Sequence, residues 1–323
     1  MYNYLEFEKP VSDLEGEIRE LRALADADGL DKETEANIEN LKKKASRALY
    51  EIYDNLTPWQ KVQVARHPYR PRFLDYVRIL LEDFTPLSGD RLFAEDSAII
   101  AGIGRFYGRS VICLGHEKGS DVATRIKHNF GMARPEGYRK VLRITDMASR
   151  FGLPVISIVD TPGAYPGVEA EQRGQAEAIA QSINAFLKLE VPSVAAIIGE
   201  GGSGGAVGIA ATDSVLMLEH AIYSVISPEG AAVILWRDKS RAKEAATTMR
   251  ITAQDLLRLG VIDEVIPEPT GGAHREPEDT IKSVGKAIAD RLSQLSEIDP
   301  GEIRSHRQKK FLSMGRLLQD QDY

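Results

Sequence analysis

The sequence predicts an α/β fold preceded by a helical hairpin. Three observations carry this reading. Pro154-Val155-Ile156-Ser157-Ile158-Val159-Asp160 and Pro192-Ser193-Val194-Ala195-Ala196-Ile197-Ile198 are near-continuous apolar runs of strand length. Strands buried on both faces look like this. Each run enters a turn rich in glycine and then a helical periodicity, so the repeating unit is strand, turn, helix. Residues 1–56 instead show helical periodicity alone.

In the first segment Leu14, Ile18 and Leu21 recur at helical spacing, as do Ile38, Leu41, Ala45, Ala48 and Ile52. Asp26-Ala27-Asp28-Gly29 between them is a turn signal. The expectation is two antiparallel helices with polar outer faces, an arm that either packs on its own domain or grips a partner subunit. Thr57-Pro58 restarts the chain, Thr as N-cap and Pro at the first helical position. Arg66-His67-Pro68-Tyr69-Arg70-Pro71-Arg72 comes next as a loop whose cations are expected to be solvated, the alternative being contact with an anionic ligand. Nothing marks His67 as catalytic.

Val111 to Leu114 reads as a strand, followed by Gly115-His116-Glu117-Lys118-Gly119. The strand at 154–160 ends in Thr161-Pro162-Gly163-Ala164-Tyr165-Pro166-Gly167. The next helix shows Ala176, Ile179, Ala180, Ile183, Phe186 and Leu187 on one face. The strand at 192–198 ends in Gly199-Glu200-Gly201-Gly202-Ser203-Gly204-Gly205-Ala206, and a small-residue helix, Val207 to Ala211, is expected next. A strand at Val215 to Leu218 leads to Ser227-Pro228-Glu229-Gly230 and another helix. The two glycine turns are too close for separate domains, so they read as adjacent turns of one sheet. After the loop Pro267-Glu268-Pro269-Thr270-Gly271-Gly272 comes a helix at about 276–296. The basic stretch Arg304-Ser305-His306-Arg307-Gln308-Lys309-Lys310 is expected as a solvated terminal helix, the alternative being contact with acidic surfaces of the sheet or with a partner chain. The expected division is therefore an arm at 1–56, a main domain at 57–296 and a helical tail at 297–323.

The composition narrows the function. Of 323 residues 43% are apolar and 28% charged, an ordinary globular balance. The net charge of -7 gives the chain as a whole no attraction for nucleic acid or anionic lipid. The single cysteine, Cys113, forms neither an internal disulfide nor a multi-cysteine zinc site. Within its apolar strand it reads as a small buried hydrophobe. The start lacks the basic and apolar regions of a signal peptide, and no apolar run approaches the ~18 residues of a membrane span, so the expected location is cytoplasmic.

The chemistry is expected at the glycine turns. Gly201 to Gly205 holds four glycines around Ser203. Glycine serves where the backbone takes positive φ or where another group must come close. Between a buried strand and a helix, such a turn presents free N–H groups to an anion. The alternative is a turn whose glycines only permit close packing. Three short motifs compete for the same residues. Gly201-Gly202-Ser203-Gly204-Gly205 fits the nucleophile elbow of serine hydrolases, with Asp263 and His274 in the required order. Gly199-x-Gly201-x-x-Gly204 fits a dinucleotide fingerprint, with Glu219 about 20 residues on. Asp160-Thr161-Pro162-Gly163 resembles a Mg²⁺-side loop of GTPases, but the chain has no phosphate loop of the G-x-x-x-x-G-K-[ST] type.

Four longer runs discriminate better. Asn129-Phe130-Gly131-Met132, Pro135-Glu136-Gly137-Tyr138-Arg139-Lys140, Asp160 to Gly167 and Gly199 to Ala206 together resemble the alpha subunit of bacterial acetyl-CoA carboxylase carboxyltransferase. The resemblance extends through the arm, Thr57-Pro58-Trp59-Gln60 and His67-Pro68. It implies a crotonase-type spiral of ββα turns, where the strand pattern alone equally allows a doubly wound sheet. It implies a beta subunit, which carries the zinc ribbon, in an alpha2beta2 assembly, with biotin carboxylase and the biotin carboxyl carrier protein as further partners. The implied cofactor is carboxybiotin carried on a partner, with no metal in this chain. The implied reaction moves its carboxyl group to acetyl-CoA, giving malonyl-CoA, the first committed step of fatty acid biosynthesis. The group leaves as CO₂, the ureido oxygen becomes negative, and biotin itself takes the proton from the acetyl methyl, so no side-chain base is required. By similarity Gly204 and Gly205 are the candidate oxyanion amides, and Gly163, Ala164, Gly201, Gly202 and Ser203 shape the cavity. Arg66, Arg70, Arg72, Lys118, Arg139 and Lys140 are candidate contacts for CoA phosphates. The rival within the same fold is a self-contained acyl-CoA hydratase or decarboxylase using Glu200, Glu169 or Glu171. The rival outside it is a non-catalytic scaffold.

Overall fold

The apolar runs become neighbouring strands at the centre of one mixed sheet. The structure, a computed structural model, describes residues 3–28 and 31–315. Its strands are β1 (Leu81–Pro86), β2 (Ile99–Phe106), β3 (Arg109–His116), β4 (Val155–Thr161), β5 (Ser193–Gly202), β6 (Ser214–Leu218), β7 (Ile222–Ser224) and β8 (Glu264–Ile266). They lie in the order β1-β2-β3-β4-β5-β6-β8, with β7 on the far end of β5. The first three are antiparallel. From β3 onward every pairing is parallel. Strand order follows chain order, with no point at which it reverses. A doubly wound sheet requires such a reversal. The observed order is that of a spiral, and the doubly wound alternative falls.

The β2–β3 hairpin turns through Tyr107 and Gly108, both at positive φ (44° and 79°), as a two-residue turn joining right-twisted strands requires. Every residue of β4 is buried, as are the first seven of β5. Parallel strands need covered faces. Helices α6 (Pro135–Phe151), α8 (Gln175–Lys188) and α9 (Ser203–Ala210) pack in a row, α6 over β2 and β3 and α9 over β4 and β5. Gly152, left-handed at φ 65°, ends α6. Helix α13 (Pro277–Leu295) packs on β5, β6 and β8 and against α4 (Phe73–Leu80).

Helix α8 corrects one expectation. Its inward face is Gln175, Ala178, Ser182 and Phe186, with Ile179, Ile183 and Leu187 half-buried, whereas Ala176 and Ala180 are exposed. The rotation follows from α9, whose small residues let α8 come close enough for the Ser182 hydroxyl to donate to the Gly208 carbonyl.

The arm consists of α1 (Lys9–Asp28) and α2 (Lys32–Asp54), which pack along each other through Ile18, Ile38 and Leu41. Of the predicted turn, Gly29 lies outside the described residues. The base of the hairpin rests on its own domain: Val11, Leu49 and Tyr53 enclose Val64 of α3 (Pro58–Ala65). Thr57 and Gln60 cap α3 reciprocally.

Residues expected to be solvated are buried in two places. Arg70 pairs with Glu268 at 2.7 Å, both side chains almost fully buried, and Arg72 packs against Asp160. Arg70 and Arg72 there satisfy carbonyls and carboxylates instead of water, while Arg66 is paired but half-buried. At the other end, α14 (Ile303–Ser313) is no solvated tail. Arg307 is completely buried and donates to the carbonyls of Phe186, Leu189 and Val191 and to Asp213. Residues 316–323 lie outside the described residues. The remaining helices, α5 (Val122–Lys127), α7 (Val168–Gln172), α10 (Pro228–Trp236), α11 (Ala242–Thr248) and α12 (Ala253–Arg258), are short and border the turns. Among the described residues no helix is long and apolar enough to cross a membrane.

Candidate active site

Both glycine turns stand at the same end of adjacent strands. β4 delivers Pro162, Gly163 and Ala164, and β5 delivers Gly201 to Gly205. The expected turn at 199–206 is shorter in the structure. β5 continues to Gly202 because β7 pairs with it, Gly201 opposite Tyr223 and Gly202 opposite Ser224. Helix α9 then starts at Ser203, not at Val207. The reversal is made at a single residue, Ser203, with φ 51°.

The glycines have separate jobs. A Cβ on Gly202 would sit 2.3 Å from the Pro162 carbonyl group. On Gly205 it would sit 2.7 Å from Ala164 N and from Gly163 C. These two glycines let the turns touch backbone to backbone. Gly201 lies under the Tyr223 ring. Gly204 meets only Ile179, at 3.6 Å, and otherwise faces open space. Gly163 has φ 147° and is held by Thr161, whose hydroxyl accepts from Gly163 N at 3.1 Å.

No side chain caps the N-terminus of α9. The first-turn N–H groups of a helix have no partner within it, and they carry the positive end of the helix dipole. Of that first turn, Ser203 and Gly204 line a cavity of about 520 Å³ together with Val207, Tyr223, Met249 and Ile251, among others, while Gly205 is buried against the neighbouring turn. The cavity is mainly apolar, and none of its lining residues is charged. Burial pushes the Tyr223 hydroxyl up to about 12, so it remains a neutral donor.

The candidate cations lie elsewhere. Lys118 is held between Asp160 and Glu200, and Arg66 between Glu200 and Glu229. Lys140 is buried against Glu95, and Arg139 lies between Asp90 and Glu136. With Arg70 and Arg72 buried, all six of these side chains have carboxylate partners within the chain. Glu200 is not a base poised near neutrality. Burial raises it, but Lys118 and Arg66 outweigh burial and bring it down to about 2. His116, fully buried, is pushed down to about 3 by desolvation.

The rival motifs come apart in space. Asp263 accepts from Val215 N and pairs with Lys310. His274 stacks on His67 with ring centroids 3.7 Å apart. Among the described residues no hydrogen bond joins either to Ser203. Glu219 accepts from Glu268 N. The candidates Gly163, Ala164, Gly201, Gly202, Ser203, Gly204 and Gly205 are brought together. Tyr223 and Ser224 at the cavity were not read from the sequence. Their strand is only three residues long, and no periodicity resolves so short an element.

The family model described as acetyl co-enzyme A carboxylase carboxyltransferase-like matches residues 4–315. The chain is 62% identical over 319 residues to the acetyl-coenzyme A carboxylase carboxyl transferase subunit alpha of Xanthobacter autotrophicus, covering 98% of this chain and 100% of that protein. It is 61% identical over 318 residues to the Methylobacterium nodulans protein of the same name, with the same coverage. Among solved structures it is similar to the transcarboxylase 12S structure with methylmalonyl-coenzyme A and methylmalonic acid bound, with a TM-score of 0.56 and 19% identity over 69% of this chain. It is also similar to the beta subunit of geranyl-CoA carboxylase from P. aeruginosa, with a TM-score of 0.52 and 16% identity over 74% of this chain. It spans 42% and 45% of those two longer chains. At such identity they show the fold alone, a crotonase-like carboxyltransferase fold.

Proposed function

Because this chain belongs to the family of acetyl-CoA carboxylase carboxyltransferase alpha subunits, we propose that it carries the carboxybiotin half of an active site completed by a beta subunit. The enzyme is a carboxyltransferase of acetyl-CoA carboxylase, acting in fatty acid biosynthesis. The finer reading is transfer from carboxybiotin, borne by the biotin carboxyl carrier protein, to acetyl-CoA. The assembly is an alpha2beta2 heterotetramer working with biotin carboxylase in the cytoplasm.

One observation carries the assignment of this half: an uncapped helix N-terminus opens onto an apolar cavity with no charged lining residue. That lining fits the uncharged bicycle of biotin and its alkyl chain. It offers no cation to the phosphates of CoA. When bound, carboxybiotin supplies the carboxyl group and a ureido oxygen on which negative charge develops. The amides of Gly204 and Gly205 are the donors for that charge, and removing one such donor typically costs ~10²–10³ in kcat. Gly163 and Ala164 are outside the cavity lining and act from behind it, as the backbone against which Gly205 packs. Ser203 turns the chain and is no nucleophile, since neither Asp263 nor His274 activates it. A self-contained hydratase or decarboxylase requires an available carboxylate at the cavity; Glu200 is held in two ion pairs, and Glu169 and Glu171 lie exposed on α7, outside the cavity lining.

The test is a carboxyl-transfer assay with carboxybiotin and acetyl-CoA. It is run on the purified chain, on a separately purified beta subunit, and on the two together. Activity in the mixture alone is the expected result. Activity of this chain alone overturns the half-site reading, and inactivity of the mixture overturns the reaction.

A further inference from the structure

The pairing of β4 with β5 changes register just below the glycine turns. Val159 lies opposite Ile197, but Thr161 lies opposite Gly201. A single residue of β4, Asp160, therefore faces Ile198, Gly199 and Glu200. Such a bulge takes backbone groups out of the ladder and re-aims the chain beyond it. Here the displaced groups are satisfied by side chains. Glu200 N donates to Asp160 Oδ1 at 2.9 Å. The Ile198 carbonyl accepts from Arg70 Nε and Nη2 at 3.1 and 2.8 Å. Gly199 makes room for this, since a Cβ there would lie 2.6 Å from Asp160 Oδ1.

The Asp160 and Glu200 carboxylates meet at one cation. Lys118 Nζ lies 2.6 Å from Asp160 Oδ1 and 2.8 Å from Glu200 Oε2, and all three side chains are close to nine-tenths buried. The Lys118 stem passes Gly131, where a Cβ would come within 2.8 Å of Lys118 Cγ. Arg66 and Arg72 complete the cluster, so three cations face Asp160, Glu200 and Glu229. The balance is neutral, so the cluster adds little net field at the cavity. Its effect is geometric: it joins the end of β4, which leads into Gly163, to the end of β5, which leads into Gly205.

We propose that Lys118 is a positioning residue for carboxyl transfer, locking the β5 bulge that sets where the first-turn amides of α9 stand against the Gly163–Ala164 turn. This rests on the function proposed above. Lys118 touches no substrate. It acts through Asp160 and Glu200, and a displacement of about 1 Å in reacting groups is enough to cost ~10²-fold in rate.

The experiment compares Lys118→Met, Lys118→Arg and the double variant Lys118→Met/Glu200→Gln with the wild type. Each is assembled with the beta subunit and assayed for kcat and for KM of acetyl-CoA. Assembly is monitored by size-exclusion chromatography. Lys118→Met leaves a buried carboxylate in excess. It is expected to lower kcat by ~10²-fold while assembly and the KM for acetyl-CoA stay within twofold. Lys118→Arg keeps the charge and is expected to retain more activity. The double variant restores neutrality and is expected to recover part of the lost kcat, a coupling visible in the double-mutant cycle. Wild-type kcat in Lys118→Met overturns the proposal. So does loss of assembly in both Lys118→Met and the double variant, which would make the role one of folding. An inactive wild-type complex would instead sink the carboxyltransferase reading itself.

Discussion

Two neighbouring glycines at the turn have opposite tolerances. Gly205→Ala places a methyl group against the Gly163–Ala164 backbone, 2.7 Å away, and backbone cannot yield as a side chain does. Gly204→Ala meets only Ile179 at ordinary contact distance. The expected outcome is a loss of about 10²-fold in kcat for Gly205→Ala and a change of no more than a few-fold for Gly204→Ala, in complexes of normal size. Ser203→Ala is expected to be mild. Titration offers a second check at this scale. Burial, then His67 and Arg70, push His274 from 6.5 down to about 3. The unfolded chain therefore binds the proton first, and stability is complete above pH 6.5 and lost as pH falls toward 3. Burial raises Glu268, but Arg70 outweighs it and brings the group from 4.5 to about 2, adding a further loss below pH 4.5. His274→Phe keeps a ring on His67 and is expected to flatten the fall in Tm between pH 7 and pH 5, measured by circular dichroism. The glycines were legible in the sequence because their spacing is local. The ion-paired cations were not: Arg66 and Glu200 are 134 positions apart, and Arg70 and Glu268 are 198 apart. A run of cations between prolines looks solvated until the fold supplies its carboxylates.

Among the elements, legibility followed burial. β4 and β5 are covered on both faces and read as apolar runs. β1 has two half-buried residues among exposed ones, and β7 and β8 are three residues each. These strands exist because a neighbour offers a free edge, which sequence periodicity does not register. Helix α14 is the sharper case. Its sequence, with basic residues throughout, reads as a surface helix, yet Arg307 is its anchor. Arg307→Met strands the Leu189 and Val191 carbonyls and takes the buried cation from Asp213, which keeps only its hydrogen bonds from Ser193. Breaking a buried pair in this way costs about 3–5 kcal/mol. Urea unfolding is expected to show a loss of that size with the fold retained, and a loss under about 1 kcal/mol would refute the anchoring role.

For the molecule as a whole, the strand pattern left the winding open, the resemblance implied the spiral, and the strand order bears it out. Short parallel strands with glycine turns are compatible with either winding, and it is the uninterrupted sequence of neighbours that decides. The arm adds a second long-range feature. Glu8 accepts from the Tyr53 hydroxyl, and Arg275 pairs with Glu15, tying both arm helices to each other and to the loop before α13. We propose residues 1–56 as a unit of the folded domain, whatever else they hold. Deleting them uncovers Val64 and the His67–His274 stack. The expected result is a lower Tm and concentration-dependent aggregation of the isolated chain, beyond any loss of beta-subunit binding. A truncated chain that stays monodisperse with an unchanged Tm would make the arm a partner device alone. The buried Cys113 gives the whole chain one more property. Its thiol is raised to about 12 by burial and lies inside β3, out of reach of alkylating reagents. A thiol introduced at exposed Ser120, two residues beyond Lys118, becomes the one cysteine of this chain that a maleimide dye can reach, so the purified chain can carry a single label at a known position.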